Sequence, residues 1–73
     1  MSLLEVLRGR QVIVTHVAGE RAFRRRIMEM GLVPGTPVRV VAVAPLGDPL
    51  TLEVRGGRLS IRKREAAEVR VQP

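Results

Sequence analysis

On either side of Gly56-Gly57 the chain alternates strictly between apolar and polar residues. Leu50, Leu52 and Val54 are separated by Thr51 and Glu53, and Leu59 and Ile61 by Ser60, with arginine at positions 55, 58 and 62. A period of two belongs to a pleated strand with one buried face, and a two-residue glycine linker is the connection that tight hairpins prefer. Setting Arg55 opposite Arg58 pairs Val54 with Leu59 and Leu52 with Ile61, so every apolar side chain lands on one face. The rest of the chain must therefore extend this sheet and cover its dry side.

Three further segments read as strands. Val12, Ile13, Val14 and Val17 are β-branched and suit a pleated strand over residues 11–17, which Ala18 and Gly19 end. Residues 38–44 form the next, with Pro37 at its start, where a missing N–H does least harm. Val38 and Val40 point inward there, while Val41 and Val43 face the other way and suggest a bulge or a second covered face. Residues 68–72 alternate again, with Val69 and Val71 inward. That makes about five short strands.

One helix interrupts them, over about residues 20–30. Phe23, Ile27 and Met30 fall on one stripe, with Arg21, Arg25 and Glu29 on the wet side and Glu20 in the first turn. Short helical turns are expected near residues 3–7, where Leu3, Leu4 and Leu7 form a cap over the core, and near residues 63–67. The turn signals are explicit. Gly9 ends the first cap, Gly31 stops the helix, and Pro34-Gly35 has the chemistry of a type II turn. Pro45, Gly47, Asp48 and Pro49 build a stiff connection in which Asp48 bonds its own turn, and Gly56 and Gly57 close the hairpin. The fold class is mainly β: a small barrel of about five strands with one inserted helix.

Length and composition set the function classes aside in turn. The 73 residues make a single domain, 1–73, of a size that buries only about 60% of its unfolded surface. No cysteine is present and Phe23 is the single aromatic residue, so the core is aliphatic, no thiolate can act as nucleophile or metal ligand, and a reducing, cytosolic setting fits best. The first ten residues match neither a signal peptide nor a membrane span. His16 stands alone, the seven acids are dispersed, and no glycine spacing makes a phosphate loop. Catalytic apparatus is missing, so the expectation is a non-enzyme with no cofactor.

The net charge of +6, carried by arginine at every basic position but Lys63, raises nucleic acid as the alternative partner. Against it, only Arg24, Arg25 and Arg26 are contiguous, and no aromatic platform accompanies them. The free strand edges of a small barrel leave weak self-association open.

Several stretches taken together resemble a known family: Arg26-Ile-Met-Glu-Met-Gly-Leu-Val-Pro-Gly-Thr36 with Val38-Arg-Val, then Ala44-Pro-Leu-Gly-Asp-Pro49, then Leu59-Ser-Ile-Arg-Lys-Arg-Glu-Ala66 and a closing Val69-Arg-Val. The chain is similar to the FeoA family of small ferrous-iron transport proteins. The resemblance implies an SH3-like barrel with a helical insertion. It also implies an accessory or regulatory role in the cytosol beside FeoB, a membrane ferrous-iron permease with a GTP-binding domain, whose nucleotide state or conformation docking would bias. With no Cys and one His, iron handling falls to the partner. Iron-dependent repressors share the fold, but the winged-helix domain and metal ligands of a repressor are not found in this sequence.

For docking, apolar residues in connecting segments are the candidates. Leu32 and Val33 follow the helix stop, and Leu46 sits in the Pro-Leu-Gly turn. Arg25 and Met28 at the helix end complete the expected surface, with arginines at its rim.

Overall fold

The computed structural model describes residues 1–73. A 3-10 turn, Leu3–Glu5, opens the chain. It is followed by β1 (Gln11–Val17), α1 (Arg21–Glu29), β2 (Pro37–Val43), β3 (Leu50–Val54), β4 (Gly57–Ile61), α2 (Lys63–Ala66) and β5 (Val69–Gln72). All neighbouring strands are antiparallel, in the order β4-β3-β2-β1-β5. A flat sheet of five strands would hold its edges roughly 19 Å apart, yet β4 reaches β5 through little more than the single turn of α2. The sheet curls accordingly, into a body of 30 × 23 × 22 Å.

The core is the aliphatic set that the alternation demands. Val12, Val14 and Val17 of β1, Val38 and Val40 of β2, Leu50, Leu52 and Val54 of β3, Ile61 of β4 and Val69 and Val71 of β5 all point inward. Leu3, Ile27, Leu32 and Ala66, from outside the strands, complete the cluster. Ser2 donates its backbone N–H to the Glu5 carboxylate at 2.7 Å, which holds the opening turn in place. That bond, acting on the charged form, keeps the Glu5 carboxyl below the usual range.

β2 carries the bulge that its valine run suggested. Val40 pairs with Leu52 and Ala42 with Thr51, so Val41 is the extra residue and Val43 is exposed. A second register shift lies in β1 between Val14 and His16.

The β3–β4 hairpin differs from the expected register. Val54 pairs with Gly57, Leu52 with Leu59 and Leu50 with Ile61, which slides β4 by two residues and keeps the same apolar face. The reason is local: Arg55 and Gly56 take the two left-handed positions, at φ of 51° and 79°, so they form the turn and Gly57 becomes strand. The Arg55 guanidinium then donates to the hydroxyl of buried Thr36 at 3.3 Å and ties the hairpin tip to the α1–β2 connection.

Asp48 also departs from expectation. Its carboxylate accepts the Lys63 backbone N–H at 3.0 Å, on the first residue of α2, and lies 3.8 Å from the Arg62 guanidinium. The side chain thus anchors the β2–β3 loop to α2, satisfying a free helical N–H in preference to its own turn. Leu7, expected to cap the core, is exposed because the helical turn ends at Glu5.

Candidate functional site

α1 is joined to the barrel along one side only. Ile27 is fully buried and Phe23 is half-buried against Gly19, where a Cβ would stand 2.9 Å from the ring. Met30, the third residue of the apolar stripe, sits at the C-cap and stays partly exposed. Arg26 completes the attachment by donating to the Glu65 carboxylate of α2 at 2.7 Å, with its guanidinium 5.8 Å from the Phe23 ring centroid. Glu65 in turn accepts the Arg62 backbone N–H at 2.8 Å. This carboxylate is deeply placed, its side chain 10% exposed against 60% for Arg26, so it holds α1 and α2 together from a partly desolvated position.

The other side of α1 is free. Arg21, Arg24, Arg25 and Met28 follow at i, i+3, i+4 and i+7 and therefore share one stripe. With His16 and Val17 of β1, and with Glu29 and Pro34 at its end, the stripe lines an open groove of about 560 Å³. The chain has two ion pairs, Arg26–Glu65 and Arg62–Asp48. Neither neutralises Arg21, Arg24 or Arg25, whose side chains form no hydrogen bond within the chain. The triple-arginine run of the sequence is thus divided, with Arg26 structural and its two neighbours available.

Of the residues expected to dock a partner, Arg25 and Met28 line this groove, and half-buried Val33 precedes its Pro34. Leu32 is a correction: it is 0% exposed and belongs to the core. After Gly31 the chain turns back, the Leu32 N–H bonds to the Ile27 carbonyl at 3.4 Å, and the side chain is carried under the barrel end. Gly35, at φ 92°, then reverses the chain with the Thr36 N–H on the Val33 carbonyl. The Gly35 N–H binds Val14 of β1 at 2.7 Å, so the whole connection is pinned to the sheet.

Leu46 stands 93% exposed and does not line the α1 groove. Its loop is closed by the Gly47 N–H on the Ala44 carbonyl at 2.7 Å and the Ala44 N–H on the Pro49 carbonyl at 3.1 Å. A second shallow groove, between Leu4, Asp48 and the Arg62-Lys63-Arg64 run, lies beside that loop. Arg21, Arg24 and His16 were not among the expected docking residues, although the spacing of Arg21, Arg24, Arg25 and Met28 was visible in the sequence. No group of three or more His, Cys, Asp or Glu side chains converges to hold a metal ion. No helix is long and apolar enough to cross a membrane.

Comparison with known proteins agrees with this architecture. The FeoA domain family model matches residues 1–73. The chain is 39% identical, over 72 residues, to part of an Fe(2+) transport protein A/Fe(2+) transporter FeoB fusion protein of Porphyromonas gingivalis; the match covers 99% of this chain and 8% of the fusion protein. The solution structure of the FeoA protein from Chlorobium tepidum superposes with a TM-score of 0.89 at 43% identity, covering 99% of this chain and 69% of that one. The zinc complex of Stenotrophomonas maltophilia FeoA, described as a prokaryotic SH3 domain protein, superposes with a TM-score of 0.83 at 36% identity, covering 99% of this chain and 89% of the other. Sequence pattern, SH3-like sheet order with an inserted helix, and family match converge, and the chain belongs to the FeoA family.

Proposed function

We propose that this chain is a non-enzymatic accessory module of ferrous-iron uptake that works in the cytosol by docking on FeoB, the iron permease with a GTP-binding domain. One observation carries the reading: in the Porphyromonas gingivalis relative, a segment 39% identical to this chain is part of the same polypeptide as an Fe(2+) transporter FeoB. Covalent fusion holds two modules at high effective concentration, a benefit only where they act together. Modules that act together in this way meet through a docking surface, whether or not a linker joins them. Dispersed acids and a single histidine leave iron transport itself to the permease.

The test is calorimetric titration of the folded protein into the purified cytosolic portion of FeoB from the same organism, with GTP hydrolysis followed in parallel. Saturable one-to-one binding is expected, with a change in hydrolysis rate or in nucleotide affinity. Absence of binding between two folded partners overturns the proposal. A duplex or single-stranded oligonucleotide retained at moderate salt would favour nucleic acid instead.

A further inference from the structure

We infer that the α1–β1 groove is the docking face and that its occupant is an acidic segment of the protein partner carrying at least one apolar side chain. This rests on the reading above that the chain binds a protein. The groove has the two ingredients such a segment needs. Its lining holds three arginines, Arg21, Arg24 and Arg25, that no group of this chain neutralises, together with the apolar Val17, Met28 and Pro34. Met28 is an exposed apolar residue on a stripe otherwise cationic, and its unbranched thioether adapts to the shape of whatever lies against it.

The position of Arg21 works against the helix. It is the first helical residue, where the helix dipole disfavours positive charge. Arg21 and Arg25 also repel each other at i, i+4. Two acids stand nearby, Glu20 four residues before Arg24 and Glu29 four residues beyond Arg25 on the lining of the groove, yet neither forms an ion pair with these arginines. A sequence chosen for helix stability alone would carry an acid at position 21, and departures of this kind are expected where a surface serves binding. Arg26, one residue further, shows the alternative, since Glu65 neutralises it internally.

A guanidinium presents its donors in a planar fork that fits a carboxylate bidentately. Three such forks on one stripe select a segment with two or three carboxylates at similar spacing, and Met28 with Pro34 adds a contact for an aliphatic or aromatic residue beside them.

The experiment compares the wild-type protein, the double reversal Arg21→Glu with Arg25→Glu, the milder pair Arg21→Gln with Arg25→Gln, and a control reversal on β4, Arg58→Glu. Each is checked for folding by far-ultraviolet dichroism and titrated with the FeoB cytosolic portion at two salt concentrations. Expected are a loss of affinity of about tenfold or more for the double reversal, a smaller loss for the glutamine pair, and little change for Arg58→Glu. Wild-type affinity should fall with salt more steeply than that of either pair. Wild-type binding that both folded pairs retain unchanged overturns the groove assignment and leaves the docking function standing. Failure of the wild type to bind removes both. Binding of a mixed-sequence oligonucleotide in the groove, competing with FeoB and lost in the same pairs, would overturn the acidic-segment assignment.

Discussion

The two sides of α1 are built on opposite principles. Toward the barrel, Ile27 is buried, Phe23 packs on Gly19, and the one arginine that points this way is matched by Glu65. Toward solvent, three arginines share a stripe with a bare methionine, and no side chain of the molecule answers them. The inner side is satisfied within the chain, whereas the outer side carries cations that no group of the chain pairs. A nine-residue helix fixed by one face is a rigid carrier for whatever its other face presents.

The largest effects should follow from damaging the inner side. Leu32→Ala or Ile27→Ala removes a fully buried aliphatic chain and should lower stability by about 2–5 kcal/mol in chemical denaturation. In a domain whose whole stability is only about 5–15 kcal/mol, Leu32→Asp should abolish the folded state. A folded Leu32→Asp protein would contradict the burial of that loop. Leu46→Asp makes the matching test at the exposed loop and should leave the transition midpoint nearly unchanged.

The Arg26–Glu65 link comes next. Glu65→Ala deletes the acceptor for both the Arg26 guanidinium and the Arg62 backbone N–H and should cost about 1.5–3 kcal/mol. Arg26→Ala should cost less, about 1 kcal/mol or under, because its side chain is largely solvated. Equal losses for the two would mean that the ion pair, and not the backbone bond, dominates the junction.

The outer side should respond in the opposite sense. Arg21→Glu places an acid in the first turn and should raise stability by about half a kcal/mol, while weakening partner binding. Stability and binding moving in opposite directions is the signature that separates a functional stripe from a merely solvated one. A fall in stability on this reversal would blur the contrast between the two sides.

The smallest effect concerns Glu5. Its carboxyl is lowered chiefly by the Ser2 backbone N–H, so its folded value lies below its unfolded value. The contribution is fully present above the ordinary carboxylate range and is lost as pH falls through the lowered value. Denaturation followed from pH 7 down to about 3 should therefore show a small acid-side loss that Glu5→Gln flattens.

Much of the fold was legible because its signals are local. Alternation set the faces of β3, β4 and β5, β-branched runs placed β1 and β2, and Gly31 with Pro34-Gly35 marked the exit from α1. What the sequence hid depends on distant partners or on backbone choices of similar energy. The hairpin slid by two residues because Arg55-Gly56 can adopt the tight turn as well as Gly56-Gly57, and parity conceals the slip. Leu32 and Leu46 look alike as leucines in glycine- and proline-bounded connections. One plugs the barrel and the other projects, and only the return path over β1 distinguishes them. Asp48 found its partner on α2, and Arg26 found Glu65 39 residues away, which no window along the chain reveals. The candidate site was half visible: Arg25 and Met28 were expected, Arg21 and Arg24 share their helical spacing, and His16 joins them only once β1 is laid beside α1.

The central claim, that the outer side of α1 meets the partner, is tested most directly by following backbone amide resonances of the labelled protein as the cytosolic portion of FeoB is added. Shifts or broadening should concentrate at His16, Val17, Arg21, Arg24, Arg25 and Met28. Perturbations centred instead on Leu46 and the Arg62-Lys63-Arg64 turn, with α1 silent, would contradict the account.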